Sequence, residues 1–393
     1  EAGGRLGQDR PAEAQDVSLG ERIAVASAEG SAVNVVFAGG GTGGHVYPGL
    51  AVARALRDLR PDVNLLYIGI RGRVDEQIVP RQGIPFRAIS AGQLRVGSPL
   101  LFARNVTRLA LGCAQSLRLL FTFKADAVFA TGGYASVPVG IAARLLRRPL
   151  IVYLPDVTPG WAVRLLSRLA TRMTTTSERA LAYLPQARTS VVGYPVRGDF
   201  WSLDRAAARD RLGLPREEQL LLVTGASLGA RTINQAVWEQ LTPLLDRCIV
   251  FHVTGAADEA AAIERRAELP RALRERYVVR GFLDDMPAAL VAADLAVSRA
   301  GASSLGELPA AGVPAILVPG EYEGWSQAPN AEYLRDQGAA VMLRNAELHQ
   351  LSGAVRQLLD DPAALERMRA AMRSLARPDA ARDIAQSGLE AAA

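Results

Sequence analysis

A chain of 393 residues, 49% hydrophobic and 22% charged, holds material for two buried cores. Its two cysteines, Cys113 and Cys248, lie far apart and its three histidines form no cluster with them. That argues against a disulfide scaffold or a structural zinc site, and for free thiols in a reducing compartment.

No window approaches the ~20 apolar residues of a membrane-spanning helix; residues 109–123 come nearest and are interrupted by Gln115 and Arg118. The net charge of +5 is unevenly spread. From Arg95 to Arg172, eleven Arg and Lys stand against two acids, Asp126 and Asp156, so the rest of the chain is net acidic. Arginine interleaves with apolar residues over 94–104, which suits a face resting on anionic lipid. The plainer alternative is a solvated basic helix packed by its apolar side. Nucleic acid is not an expected partner, because aromatics are 6% and no recognised module appears.

Residues 1–31 are polar, without the apolar segment of a secretory signal, and are expected to form a disordered lead. Residues 33–38 form a short apolar run that reads as a buried strand, and 50–59 read as a helix. Between them lies Gly39-Gly40-Gly41-Thr42-Gly43-Gly44-His45. Glycines there let the backbone approach a bulky anion, with free N–H groups at the helix start directed at it. The spacing Gly39-x-Gly41-x-x-Gly44 also satisfies a dinucleotide fingerprint. That fingerprint wants an acid after the second strand, and the strand 64–69 runs instead into Ile70-Arg71-Gly72-Arg73.

Strand candidates continue at 86–89, 127–130, 150–153, 173–176 and 190–192, separated by helical patterns that include 99–120 and 137–146. This alternation predicts a parallel sheet wrapped by helices. Residues 193–198 break it and read as a linker. A second unit follows, with strands at 220–224, 249–254, 277–280, 295–298, 315–318 and 340–343 and its own glycine turn at 225–231. Two doubly wound units place a cleft between facing strand ends.

The run from Gly39 to Leu50 resembles the acceptor-side loop of the MurG family, the peptidoglycan N-acetylglucosaminyltransferases that convert lipid I to lipid II. Further matching segments follow in order: Ala130 to Pro138, Val192 to Arg197, Phe282 to Met286, Ser298 to Glu307 and Gln327 to Gly338. The resemblance implies an α/β, GT-B fold: two Rossmann-like domains facing across a cleft. Residues 32–196 would form an acceptor and membrane-binding domain and 197–377 a UDP-sugar domain, with a final helix at about 378–393 packing back on the first. It further implies inverting transfer of N-acetylglucosamine from UDP-GlcNAc to a polyprenyl-pyrophosphate acceptor, by a peripheral protein on the cytoplasmic face of an anionic membrane.

By the same resemblance, Thr42, Gly43, Gly44, Arg197, Ser227, Leu283, Glu307 and Gln327 would hold the donor. Gly40, Gly41, Gly133, Tyr134 and Asp156 would hold the acceptor. His45 is the best-placed general base and Asp156 the second candidate. Glu307 would accept from the ribose hydroxyls, although a capping-box pairing with Ser304 explains it as well. No Asp-x-Asp pair occurs, so no metal or other cofactor is expected, and helix N-termini with Arg197 would stabilise the leaving diphosphate.

The chain departs from the family at four places. Tyr153-Leu154-Pro155-Asp156 replaces His-Glu-Gln-Asn, and Gly193-Tyr194-Pro195 replaces Gly-Asn-Pro. Ser326-Gln327 replaces two glutamines, and Leu228 stands in the second glycine turn. Most of these changes are expected near the donor sugar and the cleft. A related transferase with a different UDP-sugar or lipid acceptor is one alternative, and two other classes compete: a GT-B UDP-GlcNAc 2-epimerase, which needs no lipid, and a non-catalytic sugar-nucleotide-binding subunit in which His45 is dispensable.

Overall fold

The computed structural model describes residues 32–40, 43–92, 99–225, 229–322 and 325–392. The expected lead at 1–31, together with Gly41, Thr42, Arg95 and Ser227, lies outside the described residues.

The first sheet has seven strands: β1 (Asn34–Ala38), β2 (Asn64–Gly69), β3 (Phe86–Ala88), β4 (Ala127–Ala130), β5 (Leu150–Leu154), β6 (Arg172–Thr175) and β7 (Thr189–Val191). Their spatial order is β3-β2-β1-β4-β5-β6-β7, and every neighbouring pair is parallel. The second sheet, also parallel, comprises β8 (Leu220–Thr224), β9 (Ile249–Val253), β10 (Tyr277–Arg280), β11 (Leu295–Ser298), β12 (Ala315–Leu317) and a last strand, Ala340–Met342, beside β12. Helices cover both faces of each sheet, so the central strands read as continuous apolar runs: all five residues of β8 (LLLVT) and of β5 (LIVYL) are buried. This is the two-unit, doubly wound α/β architecture expected from the alternation.

In each sheet the strand order reverses once, between β1 and β4 and between β8 and β11. Crevices open at such switch points, beyond the carboxyl ends of the strands. Here each one is lined by glycine: Gly39 and Gly40 after β1 with Gly132 and Gly133 after β4, and Gly225 after β8 with Gly301 after β11.

Several contacts join the units. Val157, just beyond β5, shares a core with Phe200, Leu308 and Ala331 of the second unit. Tyr194 of the linker is buried and its ring lies against Gly306. Arg179 pairs with Asp336 at 2.8 Å. The helix Ala380–Ala392 lies along the helix Gly43–Leu59, with Ile384 and Ala385 in the same core as Val35, Val52 and Phe129.

The structure differs from the sequence reading at three places. The first helix begins at Gly43 and takes in His45 and Pro48, not at Leu50. Glycine and proline read as a turn, but proline's fixed φ is helical, and the Thr131 hydroxyl ties the His45 carbonyl at 2.7 Å. Strand ends shift by a residue at β1, β3, β5, β6, β7, β9, β12 and the last strand. A two-stranded antiparallel hairpin, β13 (Glu321–Tyr322) and β14 (Trp325–Ser326), was not foreseen, because strands of two residues leave no periodicity.

Candidate functional site

At the first switch point two glycine turns press together. Gly40 has φ +135° and its Hα side faces the buried Asp75 carboxylate. Gly133 has φ +81°, and a Cβ there would meet the Gly40 carbonyl oxygen at 2.5 Å. Only glycine fits both positions. The Ser136 hydroxyl donates to the carbonyls of Ala38 (3.0 Å) and Gly132 (2.6 Å), fastening the second turn to the first strand. Gly43 and Gly44 open the following helix, so its first N–H groups face the same space. Tyr134 is half-buried with its ring 6.4 Å from that of Trp161.

His45 sits over this crevice. Its Nδ1 lies 2.9 Å from the Thr131 carbonyl oxygen. A carbonyl only accepts, so Nδ1 carries the proton and Nε2 keeps its lone pair. Gly132 underlies the ring, where a Cβ would stand 3.4 Å from Cε1.

Asp156 follows β5 on the same side. Burial raises its pKa; the Asn330 amide, donating at 2.8 Å, and the neighbouring His45 ring in its protonated form draw it back. Asn330 belongs to the helix Ala328–Asp336 of the second unit. Its Oδ1 also accepts from Val157 N–H (2.9 Å), and its Nδ2 donates to the Ala300 carbonyl (3.0 Å). One buried amide therefore holds Asp156, the first-unit backbone and the start of the Gly301 turn together.

At the second switch point Glu307 lies in the first turn of the helix Ser304–Ala311. Burial pushes its carboxyl up to about 7, opposed by the charge of Arg197 and by a hydrogen bond from Ser303. The Ser304 hydroxyl donates to the Gly301 carbonyl at 2.6 Å, so the capping-box pairing of Ser304 with Glu307 does not form. Arg197, half-buried at the linker, reaches the Asp284 carbonyl at 3.4 Å. Leu283 is half-buried against the second-unit core. Gln327 is buried; its Oε1 accepts from Gly320 N–H at 2.8 Å, and its Nε2 lies toward Gly301.

The structure thus places His45, Gly40, Gly133 and Asp156 at the first switch point and Glu307, Arg197, Leu283 and Gln327 in or beside the second unit, with Asn330 bonded to Asp156 between them. Of the departures, Tyr153 and Tyr194 meet each other. Their rings are 6.4 Å apart, and the Tyr153 hydroxyl bonds Thr176 Oγ1 (2.7 Å) and donates to the Gly193 carbonyl (3.2 Å). No local pattern marks Thr131, which orients His45, or Asn330, which orients Asp156. Both lie inside quoted motifs, but their partners are 86 and 174 residues away in sequence, so only the fold reveals them.

Comparison with known proteins identifies the family. Residues 35–175 match the glycosyltransferase family 28 N-terminal domain and residues 220–384 the glycosyltransferase family 28 C-terminal domain. The chain is 38% identical to the UDP-N-acetylglucosamine--N-acetylmuramyl-(pentapeptide) pyrophosphoryl-undecaprenol N-acetylglucosamine transferase of Roseiflexus sp. (strain RS-1), over 88% of this chain and 92% of the relative. Among solved structures, MurG of Acinetobacter baumannii superposes with a TM-score of 0.70 at 25% identity, covering 91% of this chain and 99% of that one. A putative UDP-N-acetylglucosamine 2-epimerase from Listeria monocytogenes shares the fold, with a TM-score of 0.66 at 16% identity over 90% of this chain and 95% of that one. The chain belongs to glycosyltransferase family 28, alongside the MurG enzymes it resembles.

Proposed function

We propose that the protein is an inverting glycosyltransferase that moves N-acetylglucosamine from UDP-GlcNAc to the N-acetylmuramyl sugar of a polyprenyl-pyrophosphate acceptor, the step from lipid I to lipid II in peptidoglycan synthesis. What supports this reading is the pair of glycine-lined switch points, one in each unit, with a lone-pair-bearing imidazole at the first and a carboxylate near Arg197 at the second. Residues 32–196 hold the acceptor and 197–377 the donor.

In this mechanism the second glycine turn, with Ser227, and Arg197 hold the donor's diphosphate, and Thr42, Gly43 and Gly44 contribute to donor binding from the first unit. The ribose hydroxyls donate to Glu307, backbone groups at Leu283 read the uracil edge, and Gln327 borders the sugar. Gly40, Gly41, Gly133 and Tyr134 receive the acceptor pyrophosphate and its sugar. The acceptor hydroxyl gives its proton to Nε2 of His45 as its oxygen attacks the anomeric carbon from the face opposite UDP. Thr131 fixes the tautomer this requires. Asp156, held by Asn330, stabilises the imidazolium that forms.

A UDP-release assay over a panel of UDP-sugars tests the reading. Release is expected with UDP-GlcNAc only when a polyprenyl-pyrophosphate acceptor is present. Release without acceptor favours the epimerase, and UDP binding without release favours a non-catalytic subunit.

Glu307 supplies a second expectation. Hydrogen bonds to a charged group contribute roughly 1.5–3 kcal/mol each, so Glu307→Ala should weaken UDP-GlcNAc binding by at least about tenfold. The carboxyl titrates at about 7 in the free protein, and its ionised form is the better acceptor for ribose hydroxyls. Affinity should therefore hold at pH 8 and fall as pH drops through 7, by up to ~tenfold per unit. Calorimetry from pH 6 to 8 checks this. A flat profile in the parent, or an unchanged constant in the variant, removes Glu307 from the nucleotide site.

We also assign the first unit to an anionic membrane surface. No described helix is long and apolar enough to cross a membrane. On the helix Pro99–Thr122, Val106, Leu111 and Phe121 are exposed among Arg104, Arg108 and Arg118, and Leu145 stands exposed beside Arg144, Arg147 and Arg148. Each basic residue at such a surface contributes ~1 kcal/mol, screened by salt. Replacing Arg104, Arg108 and Arg144 by Glu should abolish sedimentation with anionic vesicles without moving the thermal midpoint. Equal sedimentation of variant and parent makes this an ordinary solvated face.

A further inference from the structure

The hairpin β13–β14 carries two large aromatic side chains that the mechanism above does not use. Tyr322 and Trp325 are a directly opposed cross-strand pair, so both rings stand on one face of the ribbon. Their centroids are 5.2 Å apart with planes inclined at 24°, and the residues remain 57% and 39% exposed. A ribbon this short gains little stability from its own pairing, and leaving two stacked rings in water is a feature that marks binding surfaces.

Their position is defined on both flanks. Gln327 closes the base of the hairpin: its N–H donates to the Gly320 carbonyl (2.9 Å), and its Oε1 accepts from Gly320 N–H (2.8 Å). The Tyr322 ring packs over Gly320. On the other side the Tyr322 phenol lies in the neighbourhood of Arg299. Arg299 in turn donates to Thr232 Oγ1 (2.7 Å) and Asn345 Oδ1 (3.0 Å). Thr232 is the second residue of the helix Arg231–Glu239, which follows the second glycine turn. The rings therefore stand between Gln327 and the side chains that lead, through Arg299 and Thr232, to the helix after the second glycine turn.

Resting on the glycosyl-transfer reading, we propose that Tyr322 and Trp325 form a stacking platform for a pyranose ring. A hexosamine ring presents one face of polarised C–H groups, and the negative face of an aromatic ring attracts them while excluding water. Such a contact fixes the plane of the sugar and leaves its hydroxyls to polar neighbours such as Gln327. Both sugars of the reaction share this chemistry.

The test is steady-state kinetics on the full chain with UDP-GlcNAc and the lipid-linked acceptor varied separately, for the parent, Trp325→Ala, Tyr322→Ala and Trp325→Phe. Calorimetry with UDP alone and thermal melting accompany it. Loss of one ring is expected to raise KM for one sugar substrate by ~10-fold, with UDP affinity and melting unchanged and Trp325→Phe within about threefold of the parent. A rise confined to the acceptor assigns the platform to the acceptor sugar; one confined to UDP-GlcNAc assigns it to the donor sugar. Unaltered KM for both substrates in a transferring enzyme overturns the proposal. So does an acceptor effect that disappears when the polyprenyl chain is shortened, since the rings then grip lipid. A parent that transfers no sugar defeats the functional reading itself, and is seen without any variant.

Discussion

Replacing His45 by alanine is expected to lower kcat by ~10²–10⁴, the usual contribution of a positioned general base. The tautomer sets this effect. Nδ1 is committed to the Thr131 carbonyl at 2.9 Å, so Nε2 is the nitrogen left with a lone pair. An imidazole held this way accepts a proton without first reorienting. UDP-GlcNAc affinity should change little, because Glu307 and Arg197, the groups assigned to the nucleotide, belong to the second unit and the linker. His45→Gln keeps a hydrogen-bonding side chain but no base, and should be as slow as the alanine variant. Stopped-flow or steady-state turnover with saturating donor distinguishes the outcomes. Near-parental turnover in His45→Ala would take the imidazole out of the mechanism and transfer the role to Asp156, whose pKa is raised by burial.

The largest expected loss of stability lies away from the site. Arg209, 1% exposed, is the bulkiest wholly buried side chain among the described residues. Its guanidinium donates to the carbonyls of Ala292 (3.1 Å), Pro215 (2.8 Å) and Glu218 (2.7 Å) and to Asp294 Oδ2 (2.8 Å). The same Asp294 oxygen accepts from Leu220 N–H (2.8 Å), where β8 begins, and Oδ1 pairs with Arg205. Asp294→Ala strands a buried guanidinium next to a second positive charge and leaves the Leu220 N–H without its acceptor. Removing one partner of a buried ion pair costs ~3–5 kcal/mol, which lowers a thermal midpoint by on the order of 10 °C in a unit of this size. Arg205→Ala removes only the more exposed partner and should cost about 1 kcal/mol or less. Calorimetric melting of the two variants checks the ranking; comparable midpoints would mean that the Arg209 network relaxes without Asp294.

Much of the architecture was legible because parallel strands buried on both faces must be continuously apolar. β5, β8 and β9 could be read almost to the residue, as could the glycines after β1. What local pattern could not reveal was anything set by tertiary contact. The helix beginning at Gly43 reads as a turn until Thr131 is seen holding it from another strand. Asn330 is one polar residue in an amphipathic helix until Asp156 and Val157 arrive from the other unit. Glu307 has the spacing of a capping box, yet its hydroxyl partner is Ser303 rather than Ser304. The departures at Tyr153 and Tyr194 read as independent changes, whereas the fold packs them against each other at the linker.

The most direct measurement is product analysis after incubating the full chain with isotopically labelled UDP-GlcNAc and a short-chain polyprenyl-pyrophosphate N-acetylmuramyl-pentapeptide. The expected result is one labelled N-acetylglucosamine per acceptor, in a β-linkage formed from the α-linked donor, with one UDP released for each transfer. Labelled UDP-N-acetylmannosamine, a sugar of retained α-configuration on the acceptor, or no label on the lipid at all would contradict the account.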